Sequence, residues 1–280
     1  MKTSERSWSE ILREGQYLAD EALALMLGLA IDLQRPLLLE GPSGSGKTAL
    51  AEAAAKGLGV PLIRLSCYEG LGPHEALYDW NYHLQWVRMA TNEGVDPFSD
   101  EFLLARPLLK ALQQPRSVLL IDEVDRADEA FEALLLEFLS EYQISIPERG
   151  IVRASNPPVV ILTSNRQRPL SDALRRRCLY ALVEWPELAR EIEIVRFHVP
   201  ELSEHMIRRV VCTVRTLRTW DLVKPPGLSE TIDWAKATAL RRVGEWTRDW
   251  LGQSLGLVIK DALDMAQVTE RLEELVKEAT

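Results

Sequence analysis

Three short stretches of this sequence carry residues that could do chemistry. In the first, Gly41, Pro42, Ser43, Gly44, Ser45, Gly46, Lys47 and Thr48 follow the run Leu37-Leu38-Leu39-Glu40 and lead into TALAEAAAKGLG. The spacing is G-x-x-x-x-G-K-[ST], set between an apolar strand and a helix, which is the context in which that pattern wraps a phosphate. Glycines let the backbone curl so that successive N–H groups converge on an anion. The N-terminus of the following helix adds partial positive charge at the same place. Lys47 is then expected at the β- and γ-phosphates of a nucleotide, and the Thr48 hydroxyl at a Mg²⁺ ion. An ordinary Gly/Ser turn before a helix is the alternative; the length of the match and its flanking elements argue against it.

The second stretch is Ser117-Val118-Leu119-Leu120-Ile121-Asp122-Glu123, an apolar run ending in two carboxylates. Such a run reads as a central parallel strand buried on both faces. Carboxylates at its C-terminal end enter the crevice where open α/β sheets bind ligands. Asp122 is placed to hold Mg²⁺ through water, and Glu123 to orient and deprotonate an attacking water. An acidic helix cap after a core strand is the other reading, because VDRADEAFEALLLEFLSEY continues as a helix. The third stretch, residues 157–165, is a further apolar strand, and it brings Asn165 to the same sheet edge as Asp122 and Glu123. By itself Asn165 could equally be a strand-end turn residue.

The elements that must position these groups can be read in order. Residues 16–33 have helical apolar spacing and precede the first strand. Residues 60–65 form a short second strand. Residues 67–98 are aromatic-rich and broken by Gly and Pro: either a covering layer with Trp80, Tyr82 and Trp86 packed, or an exposed insertion that touches a partner. Residues 101–114 read as an amphipathic helix interrupted at Pro107, and residues 143–153 as a hairpin turning at 147–150. The helix LSDALRRRC ends at Arg175-Arg176-Arg177. After Trp185-Pro186-Glu187 the strands stop and residues 188–280 read as helices.

Composition sets outer bounds. The 280 residues are 46% hydrophobic, enough for a large core or a core with a smaller domain. No apolar run is long enough to span a membrane, and the start MKTSERSWSEILREG has no export-signal pattern. Cys67, Cys178 and Cys212 are odd in number and unpaired in spacing, as expected of reduced thiols in a cytoplasmic protein. His74, His83, His198 and His205 show no metal-ligand spacing. The net charge is −9, with 20 basic against 27 acidic residues through residue 190 and 13 against 15 after it. Neither part is basic, which weighs against a grip on nucleic acid.

Taken together, GPSGSGKT, VLLIDE, ILTSN and SDALRRRC, in that order and ahead of a helical C-terminal part, resemble the AAA+ ATPases. The insertion after the second strand and the hairpin before Asn165 are similar to the MoxR-like group. The wording CYEG…ALYDWNY, EFLLARPLL, IDEVDRADEAFEALLLEFLSEYQISIPERG and KPPGLSETIDWA is similar to its CoxD-type accessory ATPases, which act in maturing the molybdenum–copper centre of carbon monoxide dehydrogenase. The resemblance spans roughly residues 18–240. It implies an α/β fold, a parallel five-stranded P-loop sheet sandwiched by helices, as a nucleotide-binding core over 1–188, and a helical lid domain over 189–280.

The resemblance also implies ATP and Mg²⁺ as cofactors. Residues 41–48 would grip the phosphates, Thr48 and Asp122 would hold the metal, and Glu123 and Asn165 (sensor 1) would act on the attacking water. Arg177 would be the arginine finger reaching a neighbouring subunit, with Arg176 as fallback. The family implies a ring homo-oligomer, commonly a hexamer, acting on a protein client. Its partners include proteins with a von Willebrand factor A domain, and for the CoxD type the client is a molybdenum metalloenzyme. One departure stands out: no lid arginine (sensor 2) occurs at residues 227–231, where Lys224 or a different lid arrangement would serve. A nucleic-acid-associated AAA+ motor subunit is the main alternative function. An idle ATP-binding scaffold would not need Lys47, Asp122, Glu123, Asn165 and Arg177 together. A small-molecule kinase would not need the Asp-Glu pair with a helical lid, and without an N-K-x-D signature ATP is favoured over GTP.

Overall fold

The computed structural model describes residues 6–91 and 94–278. Residues 1–5, 92–93 and 279–280 lie outside the described residues, although the expected domains include them and the expected insertion includes 92–93. In chain order the strands are β1 (Leu37–Glu40), β2 (Leu62–Ser66), β3 (Tyr78–Trp80), β4 (Leu103–Ala105), β5 (Val118–Asp122), β6 (Gln143–Ile146), β7 (Gly150–Arg153), β8 (Val159–Ser164) and β9 (Leu179–Leu182). A parallel sheet of order β2-β5-β8-β1-β9 forms the framework. β1 and β5 are buried at every residue, as strands covered on both faces must be. The register pairs Ser66 with Asp122 and Glu40 with Ser164, so these residues share the C-terminal edge.

The helices of this unit are α1 (Trp8–Glu14), α2 (Glu21–Asp32), α3 (Lys47–Leu58), α4 (Pro73–Ala76), α5 (Tyr82–Thr91), α6 (Pro107–Gln113), α7 (Glu129–Glu141) and α8 (Asp172–Arg177). α1 is set by a capping box in which Ser7 and Glu10 each bond the other's backbone N–H. The helix expected over 16–33 starts only at Glu21, because Gln16 turns with φ +72° and Asp20 caps the N-terminus. The expected helix over 101–114 is corrected too. Arg106 is extended, as a residue before proline is pushed to be, so Pro107 begins α6 instead of interrupting a longer helix. Leu103–Ala105 then pairs antiparallel with Tyr78–Trp80.

By contacts the chain divides into Met1–Gly41 with Lys47–Leu182, and Pro42–Gly46 with Val183–Thr280. The division falls earlier than the boundary expected at 188, and it groups the crest of the glycine loop with the second unit. That unit contains α9 (Leu188–His198), α10 (Glu204–Thr219), α11 (Leu228–Leu240), α12 (Arg248–Ser254), α13 (Ala262–Glu270) and α14 (Leu272–Glu278). They enclose their own core around Trp234, which is fully buried, lies 4.9 Å from the Trp246 ring and donates to Ser254 Oγ at 2.9 Å. Among the described residues no helix is long and apolar enough to cross a membrane.

Candidate functional site

β5 delivers Asp122 to the sheet edge almost wholly buried, so each of its oxygens needs a partner. Oδ1 accepts from Thr48 Oγ1 at 3.0 Å and from Thr163 Oγ1 at 2.6 Å, while Oδ2 pairs with the Arg64 guanidinium. Thr163 stands on β8 just after Leu162, the partner of Ile121. Its hydroxyl also accepts from the Glu123 N–H at 2.9 Å, so one side chain ties both members of the Asp-Glu pair. Glu123 ends the strand in the left-handed region, at φ +55° and ψ +49°. For a residue other than glycine this costs on the order of 1–2 kcal/mol and turns its carboxylate away from the ladder. Glu123 Oε1 accepts from Asn165 Nδ2 at 3.1 Å, and Oε2 pairs with Arg126 at 2.8 Å.

Asp125 is a second buried carboxylate behind this pair. Its Oδ2 accepts from the N–H groups of Asn165 at 3.1 Å and Gln167 at 2.8 Å, which fixes the loop after β8. Its Oδ1 has no partner among the described residues. Lys47 Nζ donates to the Gly41 carbonyl at 2.9 Å. Burial lowers the Lys47 pKa, and the negative charges of Asp125, Asp122 and Glu123 oppose that shift. The structure thus brings Thr48, Asp122, Glu123 and Asn165 together, with Lys47 within reach of their charges. The sequence reading missed Arg64, Thr163, Asp125 and Arg126. No local pattern signals the first two, which reach Asp122 only because β2 and β8 flank β5 in register.

Within the glycine loop, Gly44 (φ +72°) and Gly46 (φ +96°) adopt backbone angles that favour glycine. In the second unit the Gly44 carbonyl accepts from the Leu228 N–H at 2.8 Å, and a Cβ on Gly44 would come within 2.7 Å of Gly227 Cα. Pro42 precedes this turn, Ser45 lies within it, and the Ser43 carbonyl accepts from Trp185 Nε1 at 3.3 Å. Lys224, expected as a stand-in for the lid arginine, is exposed, with Nζ 3.9 Å from the Asp261 carboxylate. Arg218 instead reaches the Pro226 carbonyl at 2.7 Å, just before Gly227, while bonded to both Glu191 oxygens at 2.9 and 2.8 Å.

The three arginines of α8 differ in their ties. Arg175 donates to both Glu40 oxygens at 2.7 Å, Arg177 donates to Ser140 Oγ, and the Arg176 side chain has no such bond among the described residues. Arg35 donates to the carbonyls of Arg176, Arg177 and Cys178, so the end of α8 is pinned while Arg176 and Arg177 stay exposed. The 67–98 segment also divides. Trp80 is buried edge-on to Phe98 at 5.3 Å, whereas Trp86 is 77% exposed and Tyr82 is exposed beside it on α5.

Oxygen donors alone fit a hard cation, and Mg²⁺ usually takes one or two protein oxygens with the rest from phosphate and water. Thr48 and Asp122 meet that requirement; among the described residues no group of three or more His, Cys, Asp or Glu side chains forms a metal cage.

Residues 37–183 match the family described as ATPase family associated with various cellular activities (AAA). Protein NorQ of Paracoccus denitrificans is 30% identical over 189 residues, 63% of this chain and 62% of NorQ. Gas vesicle ATPase GvpN1 of Halobacterium salinarum is 28% identical over 203 residues, 67% of this chain and 58% of GvpN1. The chain therefore spans less than two thirds of the length of these curated relatives. A mutant of RuvB from Thermotoga maritima superposes with a TM-score of 0.53 at 19% identity, over 91% of this chain and 75% of that one, a likeness of fold alone. Since the family match runs from the first residue of β1 to just past β9, across the whole sheet that carries these carboxylates, the chain belongs to the AAA family of ATPases.

Proposed function

We propose that this chain binds and hydrolyses ATP and uses the cycle to remodel or mature a protein client, as a MoxR-like member of its family. The observation that carries the reading is the Asp122–Thr163–Glu123–Asn165 network at the C-terminal edge of a parallel sheet, with Thr48 bonded to Asp122. Residues 41–48 grip the phosphates, and Lys47 supplies the cation for them. Thr48 and Asp122 would hold Mg²⁺, which offsets phosphate charge when bound. Glu123 takes a proton from the attacking water, and Asn165 sets the direction of that carboxylate. Arg177, from a neighbouring subunit of a ring, stabilises charge growing on the transferred phosphoryl group, and Arg176 is next in line. Similarity to NorQ and GvpN1 supports the MoxR-like placement; the CoxD type, with a molybdenum metalloenzyme as client and a von Willebrand factor A partner, rests on the motif wording.

The test is a Glu123→Gln variant, expected to bind ATP as the unaltered chain does and to turn it over very slowly. Proteins retained by that ATP-loaded variant, identified by mass spectrometry, would name the client. Normal turnover in the variant removes Glu123 from its role. Turnover stimulated by naked DNA, with no protein retained, would favour the nucleic-acid motor instead.

A further inference from the structure

Arg64 is a cation in the middle of a sheet strand, and its place is set by register. β2 pairs with β5 so that Arg64 stands opposite Leu120 and Ser66 opposite Asp122. Side chains alternate between the faces of a strand, so Arg64 shares the face of Asp122 two residues back along the strand. Its long stem carries the guanidinium to the sheet edge, where Nη2 pairs with Asp122 Oδ2. The other oxygen is already taken by Thr48 and Thr163. Asp122 is therefore fully satisfied by the chain itself.

The pair is lopsided. The Asp122 side chain is 6% exposed, and the Arg64 side chain is 50% exposed. Among the described residues Arg64 forms no other ion pair. A buried carboxylate without a counter-charge is costly, and Arg64 supplies that counter-charge before any ligand arrives. The open side of Arg64 gives the guanidinium a route back to water. A divalent cation and an arginine that both require Asp122 are linked: the free energy that holds one is subtracted from the binding of the other.

We propose that Arg64 is a resident counter-ion of Asp122 that competes with the divalent cation and so sets how much Mg²⁺ the nucleotide site requires. The proposal rests on the reading of Thr48 and Asp122 as the metal side of that site. It makes Arg64 a positioning residue that acts through Asp122. Guanidinium is permanently charged, so the competition does not fade with pH across the physiological range.

The experiment uses the full chain with ADP and Mn²⁺, a paramagnetic stand-in for Mg²⁺ followed by electron paramagnetic resonance. Binding of an N-methylanthraniloyl ADP is measured in parallel in EDTA and in Mg²⁺. Arg64→Gln is expected to lower the Mn²⁺ half-saturation about fivefold, the size of effect a partly exposed charge pair supports, with ADP affinity in EDTA no better than that of the unaltered chain. Arg64→Lys keeps the charge but loses the forked geometry, and should shift in the same direction by about two- to threefold. If Arg64→Gln does not fold, as judged by circular dichroism, the lysine variant carries the test. An unchanged or raised half-saturation overturns the proposal. Equal weakening of ADP binding with and without metal also overturns it, and makes Arg64 a phosphate contact. If ADP binding by the unaltered chain does not depend on metal at all, the reading of Thr48 and Asp122 fails as well.

Discussion

Glu191 in the second unit and Asp122 in the first are both buried carboxylates with arginine partners, held in opposite ways. Glu191 is fully buried and bonded by Arg218, whose side chain is 6% exposed, with Arg215 and Thr231 adding further bonds. Arg218 also lies over the Trp185 ring at 5.0 Å and donates to the Pro226 carbonyl, so neither partner has a way out. Asp122 and Glu123 are paired with Arg64 and Arg126, each half exposed. A sealed pair serves as a fixed strut, because separating its members leaves an uncompensated charge inside the protein. A pair open to water on one side can exchange its cation for a ligand. Carboxylate and arginine thus build the frame in one unit and a replaceable contact in the other, and burial of the arginine separates the two uses.

The largest expected effect comes from a third kind of arginine, one held only by a hydroxyl. Arg177 is tied to Ser140 Oγ, a neutral partner that lets go more readily than a carboxylate. Arg177→Ala should bind ATP nearly normally and hydrolyse it about 10³–10⁵-fold more slowly. Mixed with Glu123→Gln, whose Arg177 is intact, it should regain part of the activity through hybrid interfaces. A steady-state assay on mixtures with shown subunit exchange checks this, and no recovery in any mixture sinks the assignment across subunits.

The sealed pair is broken by Arg218→Ala, expected to cost about 3–5 kcal/mol of stability in urea or thermal unfolding. The double change Arg218→Met with Glu191→Leu should recover much of that loss, since apolar side chains of similar volume leave no charge behind. A single variant as stable as the unaltered chain would erase the contrast between the units.

Glu123→Gln sharpens the contrast from the other side. It should lower turnover by about 10²–10⁴ while leaving the unfolding midpoint nearly unchanged, because its arginine partner stands in water. Arg64→Gln should likewise cost about 1 kcal/mol of stability or less without nucleotide. A loss as large as that of Arg218→Ala would show that Arg64 is a strut after all.

The smallest effect is a difference in thiol reactivity. Burial, reinforced by Asp122, Asp125 and Glu123, pushes the Cys67 thiol up to about 12, and burial pushes Cys178 to about 12 as well. Cys212 is only partly buried. Iodoacetamide at neutral pH should therefore label Cys212 first, because the thiolate is the reactive form. Peptide mapping that finds Cys67 labelled first would mean that the edge of β5 opens more freely than its hydrogen bonds imply.

The glycine loop, the all-apolar β5 run ending in Asp122-Glu123, and the hairpin at 143–153 were determined by local sequence, because each is a short-range pattern with its own physical requirement. Three glycines before a lysine and a helix, an uninterrupted buried strand, and Pro-Glu-Arg-Gly between alternating residues carry that information within a dozen positions. What tertiary structure alone decided lies across strands and between distant segments. β9 is four residues of mixed burial and becomes a strand only by pairing with β1. Arg64 and Thr163 reach Asp122 because β2 and β8 flank β5 in a particular register, which no local pattern states. Likewise Arg175, Arg176 and Arg177 are alike as sequence. Only the packing of α8, with Arg35 capping its end and Glu40 lying beside it, ties Arg175 to a strand carboxylate, Arg177 to a hydroxyl, and leaves the Arg176 side chain without a bond among the described residues.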